Sequence, residues 1–193
     1  MALSDDDLLA VEQYFEKWWA WVRAAAAFGL HSPKWLALAP EVPLELIQRA
    51  ALEHPNARVR RECLTVLDHE ANDESIETFR AALADPVPRV RRLALHGLSC
   101  ERCRTGELCA TDVVPTLIHA LQHDPSPRVR HDTVPILLRL SDRDERASAA
   151  LETAAHQDDD PLVRQVALAA VQGRTRDIRS RKALRRRARV PTV

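Results

Sequence analysis

The sequence has little glycine, few aromatic side chains and no long apolar run. Four glycines in 193 residues provide no Gly-rich loop of the kind that cradles a phosphate. The longest apolar stretch, "WWAWVRAAAAFGL", is interrupted by Arg23 and falls short of the ~20 residues that cross a bilayer. The opening "MALSDDDLL" is acidic where a secretory leader would be basic. These features point to a cytoplasmic protein with no membrane partner, in a compartment where thiols stay reduced.

What is abundant is Ala, Leu, Arg and Glu, side chains that lose little freedom in a helix. Four segments align: "HPNARVRRECLTVL", "DPVPRVRRLALHGL", "DPSPRVRHDTVPIL" and "DDDPLVRQVALAAV". Each is anchored by a Val-Arg pair, at Val59-Arg60, Val90-Arg91, Val129-Arg130 and Val163-Arg164, spaced by 31, 39 and 34 residues. Such a period signals stacked two-helix units. First helices are predicted at 44–53, 74–84, 112–123 and 145–156, and second helices at 57–68, 88–98, 127–140 and 161–172. Val90, Leu93, Ala94, Gly97 and Leu98 share one face at 3.6 periodicity. Between the helices stand Asp85-Pro86, Asp124-Pro125 and the run from Asp158 to Pro161. There Asp ends or caps one helix and Pro occupies the first turn of the next. Pro135 should kink its helix by removing a backbone donor. Arg60, Arg91, Arg130 and Arg164 are expected to brace adjacent repeats through the turn aspartates. Arg61, Arg92 and His131 could line a groove.

The "D-P-x-P-x-V-R" turns and the "x-A-x-x-x-L" that follows resemble the short HEAT-like repeats of the phycobilisome-lyase type, over residues 41–173. The resemblance implies an all-α fold: a right-handed α-solenoid of about four helical-hairpin repeats that binds another molecule. It does not extend to the HEAT-like enzymes. Deoxyhypusine hydroxylases hold a di-iron centre with several His-Glu pairs, and this chain has only His69-Glu70. HEAT-like DNA glycosylases use aromatics in a basic groove, and here the aromatics lie outside the repeats apart from Phe79. Nothing supports the photosynthetic partner of a bilin lyase.

The 39-residue spacing holds eight more residues than the first. The excess falls in a Cys-rich insertion at 99–111, with Cys100, Cys103 and Cys109 in a Cys-x2-Cys-x5-Cys pattern. One tight turn with Cys-x2-Cys spacing offers two thiolates to one ion, and zinc wants four ligands. His96, one helical turn before Cys100, is the first choice for the fourth, and His69 the second. Asp112 fits a helix cap better than a ligand. An iron–sulfur cluster, a redox pair at Cys100 and Cys103, or free thiols are the alternatives. Cys63 aligns with Ala94, Thr133 and Ala167, a small core position, and reads as packing.

Residues 1–40 form an aromatic-rich N-terminal region with one helix expected at 4–28, started by Ser4 and Asp7 and stopped by Gly29. It should cap the open end of the solenoid. Trp18, Trp19 and Trp21 cannot all face one neighbour, so at least one is left as a partner-binding anchor. Residues 174–193 carry nine basic groups and one acid, Asp177, which leaves 19 basic and 27 acidic groups, a net of −8, in the rest. The tail is a solvated, disordered end, a segment folded back on its own acidic body, or a basic arm for nucleic acid or another acidic surface. In the last case Arg181, Lys182, Arg185, Arg186 and Arg187 would contact nucleic-acid phosphates, with a steep salt dependence. No Ser-His-Asp array or carboxylate pair emerges from the spacing, so an enzyme is the less favoured class. The leading reading is a non-enzymatic protein-interaction scaffold or adaptor with a structural zinc. Its alternatives are a nucleic-acid-associated protein and a redox or iron–sulfur protein.

Overall fold

The computed structural model describes residues 3–27, 42–70, 73–99 and 112–174, with the side chains of 20–27, 69, 70, 73 and 74 outside the description. The described residues are helical throughout, with no strand among them. They fall into two compact units, residues 1–105 and 106–193, divided within the Cys-rich insertion. In the first unit, helix α1 (Asp5–Ala27) packs on the hairpin of α2 (Leu44–Glu53) and α3 (Ala57–Glu70). The second hairpin, α4 (Asp73–Ala82) and α5 (Pro88–Ser99), packs against the first. In the second unit, α6 (Val114–His123) and α7 (Pro127–Leu140) form one hairpin. Helices α8 (Glu145–Gln157) and α9 (Pro161–Val171) form the next. The architecture is the predicted all-α solenoid class of stacked hairpins with an N-terminal capping helix. The predicted repeat helices differ from the observed ones by at most two residues at either end.

Local chemistry sets these bounds. Ser4 and Asp7 form a reciprocal capping box: Asp7 N–H donates to Ser4 Oγ at 3.2 Å and Ser4 N–H to Asp7 Oδ2 at 3.0 Å. The Ser4 backbone hydrogen bond holds the Asp7 carboxyl below its ordinary range. Asp160 caps α9 by accepting from the N–H groups of Leu162 and Val163. Gly173, at φ +68°, closes α9 in a Schellman turn in which Arg174 N–H reaches the Ala169 carbonyl at 2.8 Å. Helix α7 continues through Pro135, where a kink is predicted, although that residue offers no donor to the His131 carbonyl.

Phe15, Leu64, Leu67 and Phe79 centre the first core, and Leu117, Leu121, Leu137 and Leu151 the second. Cys63 is fully buried in α3, and burial pushes its thiol far above the ordinary range, which makes it the inert packing residue its alignment predicts. In α5 the predicted face holds Val90, Ala94, Gly97 and Leu98, all buried. Leu93, assigned to the same face, is half-exposed, and Arg91 and Leu95 are buried instead. A second-helix residue of a stack meets neighbours on two sides, so a single apolar stripe underestimates what it buries.

Candidate functional site

The most regular side-chain arrangement is built on the repeat arginines. In every repeat, Nη1 donates to the carbonyl six residues earlier, across the turn that joins the two helices. Arg60 reaches His54 O at 2.7 Å, Arg91 reaches Asp85 O at 2.7 Å, Arg130 reaches Asp124 O at 2.8 Å and Arg164 reaches Asp158 O at 2.5 Å. In Arg60 and Arg130 the other side of the guanidinium also grips the turn of the following repeat. Arg60 donates Nε and Nη2 to Asp85 at 2.6 and 3.0 Å, and Arg130 donates the same pair to Asp158 at 2.8 and 2.9 Å. Planar bidentate geometry of this kind suits arginine alone. The Asp158 hydrogen bonds hold the Arg130 guanidinium still more firmly protonated than usual. The predicted braces are therefore present at both of these joints.

Each turn aspartate also folds its own turn. Oδ1 of Asp85, Asp124 and Asp158 accepts the N–H two residues on, at 2.7, 2.8 and 2.8 Å. In the first repeat His54 stands at that position, and its Nδ1 accepts Asn56 N–H at 3.1 Å. The ring thus copies the aspartate's role in the turn and presents Nε2 to Glu12 of α1 at 3.6 Å. The sequence reading missed His54, although the alignment of "HPN" with "DPV" carried the signal.

His54 is 1% exposed, and burial lowers its pKa, against the opposing charge of Glu12. A lowered folded pKa means that the unfolded chain binds more protons. The stabilising contribution is therefore present above the unfolded value of about 6.5 and lost as pH falls below it. Urea midpoints measured from pH 7.5 to 5 should fall. His54→Asn, which keeps an acceptor for Asn56 N–H but cannot titrate, should flatten that fall.

Of the predicted metal ligands, Cys100, Cys103 and Cys109 lie outside the described residues, as does the His69 side chain. His96 sits in the last turn of α5, 56% exposed at its side chain, with Nε2 3.3 Å from Oδ2 of the buried Asp68 on α3. Among the described residues no group of three or more His, Cys, Asp or Glu could hold a metal ion. Asp112, expected as the helix cap, lies one residue before the N-cap Val113; it accepts Val114 N–H at 3.1 Å in the turn that leads into α6 and pairs with Arg146 at 2.9 Å.

On α1, Trp18 and Trp19 are half-buried and both lie against Phe15, at 6.0 Å between ring centroids. Arg58 sits 3.9 Å over the Trp19 ring, which ties the capping helix to α3. The Trp21 side chain lies outside the described residues. So do Arg181, Lys182, Arg185, Arg186 and Arg187. Of the three groups at the candidate groove position, Arg61 pairs with Glu62 and His131 is buried with Nδ1 3.0 Å from Asp132. Arg92 is half-buried. No described helix is long and apolar enough to cross a membrane.

Residues 100–172 match the family model described as HEAT repeats. Neither the curated proteins nor the solved structures yield a match to the chain. The matched segment spans the Cys-rich insertion and the last two hairpins, whose brace is the same as that of the first two. Residues 100–172 are therefore similar to HEAT repeats, and the helical hairpins of residues 44–99 carry the same turn and arginine pattern.

Proposed function

We propose that the chain is a non-enzymatic protein-interaction scaffold whose Cys-rich insertion is clipped by one structural metal ion. One observation supports the scaffold reading above the others. The recurring charged groups are used mainly within the framework: all four Val-Arg arginines hold their own turns, Asp85, Asp124 and Asp158 fold theirs, and Arg60 and Arg130 also join hairpins. Stacked repeats of this kind serve chiefly to display extended surface.

The clip would use Cys100, Cys103, Cys109 and His96 around zinc. Three thiolates and one imidazole are a donor set that suits zinc in its closed, structural form. His96 carries the feature expected of such a ligand, since a metal-bound imidazole commonly hands its other ring nitrogen to a carboxylate. With Nε2 directed to Asp68, the ion would be held through Nδ1. A reducing, cytoplasmic setting suits both the thiolates and the free Cys63.

Metal analysis with an absorption spectrum tests the proposal. The purified full chain should be colourless and hold one zinc, and Asp68→Asn should weaken zinc binding by about tenfold. Chelation should raise hydrogen exchange near residues 96–115 and leave residues 44–60 unchanged, because solenoid contacts are local. A brown, iron-containing protein would overturn the reading in favour of electron transfer.

A further inference from the structure

In each second helix the bracing arginine is followed, four and seven residues later, by two apolar side chains on the same face. They are Leu64 and Leu67 in α3, Leu95 and Leu98 in α5, and Val134 and Leu137 in α7, all at most 2% exposed. In α9 the equivalent residues are Leu168 and Val171, which are 36% and 45% exposed. The brace stops at the same place. Arg164 donates through Nη1 to the carbonyls of Asp158 and Asp159, and its Nε and Nη2 meet no acceptor among the described residues. Terminal repeats of solenoids ordinarily turn a polar face outward. Helix α9 instead carries one complete half of an inter-repeat joint, two apolar side chains and a guanidinium fork.

We propose that this face of α9 docks a separate protein that presents a helical hairpin with an aspartate in its turn. The inference rests on the scaffold reading above and adds which surface binds and what chemistry it selects. The chain's own joints define that chemistry. Helix α3 receives the α4–α5 hairpin with Asp85, and α7 receives the α8–α9 hairpin with Asp158. A second copy of this chain fits poorly. Its first hairpin lies under α1, and the first turn holds His54, whose Nδ1 is already taken. The chain's own tail carries nine basic groups and a single acid, whereas this face asks for a carboxylate.

A synthetic peptide of residues 141–172, the hairpin that α7 already accepts, is the probe. It should bind the full chain saturably and shift the methyl resonances of Leu168 and Val171. Arg164→Gln in the chain, or Asp158→Asn in the peptide, should weaken binding about tenfold, as expected for loss of a charge-assisted pair. Leu168→Glu should abolish it. The isolated peptide could fail to form its hairpin, so the same segment is also inserted in tandem after Gln172 of the full chain. There it should raise the melting temperature, and Arg164→Gln should remove the gain. Equal binding of the Asp158→Asn peptide, or no gain from the tandem repeat, would overturn the proposal and leave the zinc and scaffold readings standing. Self-association of the full chain that Leu168→Glu abolishes would assign the face to a second copy. Contacts of the two methyl groups with residues 174–193 would assign it to the tail. Either result would also sink the proposal.

Discussion

Replacing Asp85 by alanine should destabilise the protein by about 3–5 kcal/mol, the range for removing one partner of a buried ion pair. Asp85 joins four groups. Its Oδ2 accepts Arg60 Nε, its Oδ1 accepts both Arg60 Nη2 and Val87 N–H, and its carbonyl accepts Arg91 Nη1. The Arg60 and Asp85 side chains are only 9% and 4% exposed. Truncation leaves a guanidinium in a nearly dry site, held, among the described residues, only by the carbonyls of His54 and Pro55. The wild-type pair is not thereby worth the same amount, since an apolar pair of equal volume can be as stable. Arg60→Met combined with Asp85→Ala should therefore recover part of the loss. Urea unfolding of the two single variants and the double variant measures both statements. A loss below about 1 kcal/mol for Asp85→Ala would show the brace to be marginal.

The second large effect is expected at Gly97. In an open helix, Gly→Ala stabilises by up to about 1 kcal/mol. Here the sign reverses. A Cβ on Gly97 would lie 2.5 Å from Cδ1 and Cζ of Phe79, and closer still to Cε1. Phe79 is 1% exposed, so its ring has no solvent to move into. Overpacking of this kind costs about 1–3 kcal/mol. Gly97→Ala should lower the melting temperature, and Phe79→Leu in the same chain should return part of it. The double-mutant cycle then carries a favourable coupling term, the mark of a steric rather than a propensity effect. Additive losses would show that the two residues do not meet.

Much of this architecture is legible in the sequence because one short motif fixes three things together. The Asp-Pro turn ends one helix and starts the next, and the Val-Arg pair places one apolar and one bracing residue a single step apart. Helix bounds and the Arg60–Asp85 and Arg130–Asp158 pairs follow from it. Other features depend on distances across the stack, which periodicity does not encode. Gly97 looks like a small residue on an apolar face until Phe79 arrives from the partner helix. His54 looks like a departure from the repeat until its Nδ1 is seen to accept the turn N–H that an aspartate accepts elsewhere. The stripe of Arg164, Leu168 and Val171 mixes charge with apolar groups, so no amphipathic pattern singles it out. For the metal centre, His96 beside Asp68 is visible, while the thiols proposed with it lie outside the described residues.

The two braces enclose connections of different length. Arg60 and Asp85 are 25 residues apart and Arg130 and Asp158 are 28, yet each pair makes the same two-bond fork. The difference falls mainly in the segment between one hairpin and the next, two residues after α3 and four after α7. That segment can therefore grow or shrink over generations without disturbing the joint, since lengthening a surface loop costs little free energy. A lineage of such repeats would have ready-made places to acquire new chemistry while its framework stays under selection. The three-cysteine stretch of this chain occupies one of those places.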